Sequence, residues 1–283
     1  MKLCISNIAW RAEEEAQVAR LLEAQGVAHI ELAPLRAVTT PWAPDREEAT
    51  RCRAFWAQHG MQIHALQALL FGRDGLALFE APEARARMLD HLRGVLQLAQ
   101  WLGAQRLVFG SPGQRRRNGL SVTDAGQIAA DFFGQVGALA QQHGTQVCIE
   151  PNPEAYGCDF VTTAAQGEAL VRAVHHPGFG LHLDAAGMHL AGDDGPQAVC
   201  RGIDVLGHFH ISAPQLGHVD RSVPIDYAAL LAALGQVGYA GCVSIEMRAE
   251  PQRSNLGGVA EAVGYMQQLL AVTREPETHP PRP

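Results

Sequence analysis

The sequence predicts an α/β fold, a single-domain (β/α)8 TIM barrel, on three observations. Eight short β-like runs alternate with longer segments of helical period over 283 residues. A Gly tends to precede the next run, at Gly26, Gly60, Gly103, Gly144 and Gly241, where it stops the preceding helix. The turn after the first run reads SNIAWRAEE, without the glycines that a doubly wound nucleotide-binding sheet, the alternative fold, would carry there.

The runs are placed at residues 3–6, 28–31, 62–65, 106–109, 146–150, 179–184, 205–211 and 242–246. Among the helical segments, 85–102 and 124–143 show the clearest apolar stripes. The barrel takes residues 1–272. The Pro-rich, polar end, residues 273–283, reads as a disordered tail.

Composition narrows the function. With 22 basic and 29 acidic residues the formal charge is −7, and aromatic residues make up 6% of the chain. Neither a phosphate-backbone binder nor a base-stacking surface fits those values, so no nucleic-acid partner is expected. No apolar run reaches a membrane span, and the first residues lack a leader's apolar core, so no membrane partner and a cytoplasmic location are expected. A homo-oligomer stays open. The six cysteines show no C-x-x-C pair, so neither a thiolate zinc site nor a disulfide framework is expected. The 13 histidines call for an explanation, because imidazole is both a common metal ligand and the neutral-pH proton carrier.

A TIM barrel keeps its chemistry at the C-terminal ends of its strands. Four successive strand ends carry Glu150, Asp184, His210 and Glu246. Carboxylates facing one barrel mouth repel each other, and a divalent cation bound between them relieves that repulsion. Three carboxylates and one imidazole suit Mn2+, Mg2+ or Co2+, and also accept Zn2+. His64 at the third strand end, Asn152 after the fifth and Arg248 after the eighth are candidate substrate contacts. His189 and His218 join them as residues near the mouth. The loop after the fourth strand, GSPGQRRRNG, places Arg115 and Arg117 near the same mouth. Guanidinium forks there predict binding of an anionic substrate. His182 and His208 each precede a ligand position by two, which turns them to the same side of their strands. Trp10 and Phe71 are candidate pocket walls, and His29, His59, His91, His143, His175, His176 and His279 are placed at the surface or at helix ends.

The segments VCIEPNP, GLHLDAAG, GHFHISAP and GCVSIEM resemble the sugar phosphate isomerase/epimerase family, the xylose-isomerase-like TIM barrels that include ketose 3-epimerases and are related to endonuclease IV. The resemblance covers roughly residues 1–270 and implies one divalent metal ion held by Glu150, Asp184, His210 and Glu246. It further implies that Glu150 and Glu246 are the acid/base pair acting on a carbohydrate. The chemistry implied is proton transfer through a metal-stabilised enediolate, giving isomerisation or epimerisation. Loss of a β-hydroxyl from the same intermediate would make the protein a lyase or dehydratase. Endonuclease-IV-like DNA repair and non-catalytic sugar binding rank lower: the D-x-H pair of endonuclease IV is here His218-x-Asp220. Two positions depart from the family pattern. Gly187 stands where many relatives place a substrate-touching His, with His189 two residues on. Leu216 stands where ketose 3-epimerases carry an Arg.

Overall fold

The computed structural model describes residues 1–252 and 254–273. Of the expected tail only Thr273 falls within them; residues 274–283, with His279, lie outside the described residues. Eight strands form in order: β1 (Lys2–Ser6), β2 (His29–Leu32), β3 (Gln62–Leu66), β4 (Arg106–Phe109), β5 (Gln146–Ile149), β6 (Phe179–Asp184), β7 (Leu206–Ser212) and β8 (Cys242–Glu246). All neighbouring pairs run parallel, and β1 closes the sheet against β8. That closure makes the barrel and removes the doubly wound alternative, whose sheet would leave two free edges.

Among the described residues ten α-helices accompany the strands: α1 (Glu15–Ala24), α2 (Pro34–Ala37), α3 (Arg46–Gln58), α4 (Pro82–Leu102), α5 (Val122–Gln142), α6 (Ala164–Val174), α7 (Ala185–Ala191), α8 (Gly195–Gly202), α9 (Tyr227–Gln236) and α10 (Leu256–Val272). Each long helix buries one stripe on the barrel. In α4 the stripe is Ala84, Met88, His91, Leu92, Val95, Leu96 and Ala99, at the period of 3.6 residues that keeps one face apolar. Side-chain caps start the helices. Asp45, Ser121, Thr163, Asp194 and Asp226 each accept the backbone N–H three residues on, satisfying donors that the first helical turn leaves free. Among the described residues no helix is long and apolar enough to cross a membrane.

Several sequence expectations shift. The glycine that ends α9 is Gly238, at φ 73°, not Gly241. A side chain at Gly241 would lie 2.4 Å from Tyr239 Oη, so that glycine answers to a close approach instead. Strand β7 starts and ends one residue later than expected, which brings Ser212 into the ladder opposite Glu246. Strand β5 stops at Ile149, although Glu150 N still donates to Phe109 O at 3.0 Å; Pro151 has no N–H to continue the ladder.

His91 is not at the surface. It is buried, with Nε2 2.8 Å from Leu69 O and its ring stacked on Trp42. Trp10 is also buried, its indole N–H donating to Glu15 at 2.7 Å, so it packs rather than walls a pocket.

Candidate metal centre

The last four strands converge on one point. Asp184, His210 and Glu246 each offer a ligand atom within 4.8 Å of the others, and Glu150, His182 and Asp184 do the same. Asp184 belongs to both groups, so the four strand-end residues singled out from sequence form one cluster. Asp184 ends β6 and also begins α7. Its Oδ1 accepts from Gly187 N at 2.6 Å, and its Oδ2 accepts from the Ser212 hydroxyl. His210 Nδ1 points at Glu246 Oε2, 3.3 Å away, without a hydrogen bond of its own.

Burial and mutual repulsion shape the charges. Burial, reinforced by Glu246 and Asp184, pushes the Glu150 carboxyl up to about 8. Burial and then Glu246 push Asp184 up to about 6. Three carboxylates gathered out of water, with an unpartnered imidazole nitrogen among them, form a donor set that a divalent cation fits.

Glu31, at the end of β2, completes the arrangement beneath. It is fully buried, lies 2.9 Å from His210 Nε2 and 3.4 Å from His208 Nε2, and accepts from Ser244 Oγ at 2.6 Å. Burial alone would raise its pKa, but His210 and His208 hold it well below the ordinary carboxylate value. Burial likewise opposes protonation of His210, yet Glu31 and Glu246 hold its pKa well above the usual value. By occupying Nε2, Glu31 leaves Nδ1 to face the cluster, the carboxylate–histidine device that orients metal ligands. Sequence reasoning put Glu31 at a strand end but gave it no role. The signal was an ionisable residue inside the apolar run AHIEL.

Gly110, just past β4, is required by this geometry. A Cβ there would stand 2.3 Å from Glu150 Oε2. Gly110→Ala is therefore expected to displace the Glu150 carboxylate and weaken cation binding roughly tenfold or more, on the scale of losing a ligand's supporting partner. Calorimetric titration with Mn2+ checks this.

The other predicted residues divide. Arg115 is fully buried, and all five of its N–H groups are used. They reach Gly110 O (2.9 Å), Phe160 O (2.7 Å), Val161 O (3.2 Å), Glu150 O (2.5 Å) and Asn152 Oδ1 (2.8 Å). This overturns the anion-binding role expected of it, because no donor is left for a substrate. Asn152 is buried and spends its oxygen on the same clamp. Arg117 bonds Asp159 O at 2.8 Å and Leu120 O at 3.2 Å, and lines an outer cleft with Val122, Phe160 and Leu170. It too is turned from the barrel mouth.

His64 is also corrected. The β2–β3 register slips between Ile30 and Glu31, leaving His64 out of the pairing. Its ring lies 6.0 Å from that of His29 and 5.8 Å from that of His208, and it is close enough to Cys242 to hold that thiol's pKa down. Since His29 and Cys242 are the first residues of their strands, His64 lies toward the barrel floor rather than the mouth. His189 is exposed on α7 and borders a separate surface cleft with Met188, Asp226 and Leu230. His218 and Arg248, by contrast, border a cleft of about 500 Å3 with Ala9, Leu216 and Met247, beside the end of β8. Phe71 stands 74% exposed after β3.

Comparison with known proteins agrees with this fold. A family model for the xylose isomerase-like TIM barrel matches residues 19–269. An L-ribulose 3-epimerase from Methylomonas sp. (strain DH-1) is 25% identical over 230 residues, spanning 78% of this chain and 74% of that protein. A solved L-ribulose 3-epimerase superposes with a TM-score of 0.77 at 20% identity, covering 99% of this chain and 100% of its own. The structure of the IOLI protein with a bound zinc atom superposes with a TM-score of 0.76 at 17% identity, covering 98% and 100%. The fold and the family match coincide, and the chain belongs to the xylose isomerase-like TIM barrel family.

Proposed function

We propose that this protein is a divalent-cation-dependent isomerase or epimerase acting on a sugar or sugar derivative. The observation that carries the reading is the convergence of Glu150, Asp184, His210 and Glu246 from four consecutive strands into one buried, cation-ready cluster. The epimerase names of its relatives support it. Mn2+, Mg2+, Co2+ and Zn2+ all suit the donors. When bound, the cation supplies Lewis acidity, stabilising negative charge on the sugar's carbonyl and neighbouring hydroxyl oxygens.

The chain's own groups move the proton. Glu150 directly follows β5 and Glu246 ends β8, with two strands between them, so they approach the centre from different sides. One carboxylate removes the proton from the carbon beside the carbonyl, leaving an enediolate. The other returns a proton to the opposite face, and the stereocentre inverts. Return to the adjacent carbon instead exchanges aldose and ketose. His218 and Arg248 line the adjoining cleft and are the contacts proposed for sugar oxygens. Arg115 acts through Glu150, donating to its backbone carbonyl oxygen.

Incubating candidate ketoses with the cation-loaded protein in deuterated water tests this. Deuterium at the carbon beside the carbonyl, in recovered sugar and in product, is expected. Tight sugar binding without exchange would overturn the reading in favour of a binding protein, and loss of water from the sugar would make it a lyase.

Cation binding should also release protons. Glu150 in the folded chain holds its proton up to about pH 8, whereas in the unfolded chain it ionises near ~4.3. A raised folded pKa stabilises the cation-free fold below pH ~4.3, and that contribution is lost as pH rises through 8. A cation must displace this proton and the one held on the His210 ring, so its affinity should rise by at least about tenfold per pH unit below pH 8. Calorimetry at pH 7 in two buffers of different ionisation heat should show about one to two protons released per ion; none would contradict the carboxylate assignment.

A further inference from the structure

The cluster described above does not account for His182. This residue lies on β6 two positions before Asp184 and pairs across the ladder with His208, as Asp184 pairs with His210. Two inward-facing layers result: Asp184 and His210 above, His182 and His208 below. His182 is fully buried, and neither of its ring nitrogens has a hydrogen-bond partner among the described residues. His208 and His210 both face Glu31; His182 has no such acid. One of its nitrogens lies within 4.8 Å of donor atoms on both Glu150 and Asp184. Its ring centroid is 4.1 Å from that of His210.

A residue that only fills a barrel has no need of an imidazole. Leaving a buried polar group unsatisfied costs about 1–3 kcal/mol, and a Leu or Phe of similar volume would avoid that cost. The nitrogen must therefore have something to bind. An imidazole nitrogen free of hydrogen bonds can offer its lone pair to a metal.

We infer that His182 supplies a further nitrogen donor to the cation centre from below, on the Glu150–Asp184 side, and that this centre consequently favours a borderline cation such as Zn2+ or Co2+ over Mg2+. The inference rests on the reading of the cluster as a cation site. Two imidazoles with three carboxylates give a softer donor set than one imidazole with three, and nitrogen donors discriminate against Mg2+.

The experiment is calorimetric titration of wild type, His182→Phe and His182→Gln with Zn2+, Co2+ and Mg2+, alongside the visible absorption of the Co2+ forms. Phe keeps a ring of similar volume; Gln retains a polar donor. In the Phe variant Zn2+ and Co2+ should bind about 100-fold or more weakly, at or beyond the scale of losing a ligand's supporting partner. Mg2+ affinity should change little, and the Co2+ spectrum should shift. The Gln variant should fall between. Zinc X-ray absorption of the wild type gives a reading that needs no variant: two imidazoles at the ion are expected. A single imidazole, or an unchanged Zn2+ to Mg2+ ratio in the folded variants, would overturn the role of His182 while leaving the cation site standing. Absence of any tight cation in the wild type would overturn both.

Discussion

Glu246→Gln is expected to lower turnover by about 10²–10⁴-fold, the usual contribution of a positioned acid or base. The substitution keeps side-chain shape and an oxygen donor but removes the basicity needed to take a proton from carbon. Glu246 sits at the end of β8 beside the cleft lined by Arg248 and Met247. Its Oε2 lies 3.3 Å from His210 Nδ1, so the charge change is felt at the centre of the cluster. The measurement is the rate of deuterium exchange at the sugar carbon under saturating Mn2+, which offsets any loss of cation affinity. His210→Ala provides the contrast. It deletes a donor and should leave the purified protein depleted of metal by elemental analysis. Wild-type exchange in the Glu246 variant would remove that residue from the proton path.

Arg115→Ala should destabilise the fold by about 3–5 kcal/mol, the range for breaking a buried charged network. Five acceptors lose their donor at once, among them the carbonyls of Gly110, Glu150, Phe160 and Val161. A cavity the size of a guanidinium opens beside them. Equilibrium denaturant unfolding followed by circular dichroism checks the value. Because Arg115 Nη2 holds both Glu150 O and Asn152 Oδ1, surviving protein should also bind its cation more weakly. An anion-binding arginine would behave in the opposite way: stability would stay near wild type, and KM would rise for charged sugars alone. Arg117→Ala touches a half-exposed pair with Asp159, where contributions are about 0–1 kcal/mol, and should change little.

The four proposed cation donors were legible because their information is local. Each is an ionisable residue ending a short apolar run, and a barrel gathers strand ends at one face. His64 shows where that reasoning fails. A slip in the β2–β3 ladder changes the level at which β3 residues meet their neighbours and leaves His64 on the floor side, and no spacing within either strand reveals it. Arg115 fails for a related reason. In sequence, three consecutive arginines read as a solvated run or an anion receptor, and only the meeting of the β4 loop with residues 150–161 encloses one of them.

The barrel, its eight strands and the chemistry-bearing residues at or near the ends of the last four can be read along the chain, because apolar period and helix stops act over a few residues. What those residues meet follows only from the closed barrel. Glu31 reaches His210 across 179 positions, and Ser244 reaches Glu31 across 213. The carboxylate that orients the histidine, the arginine that clamps the glutamate and the histidine beneath the centre all depend on barrel closure. Burial then sets their charge, since the same groups in water would each titrate near their ordinary values.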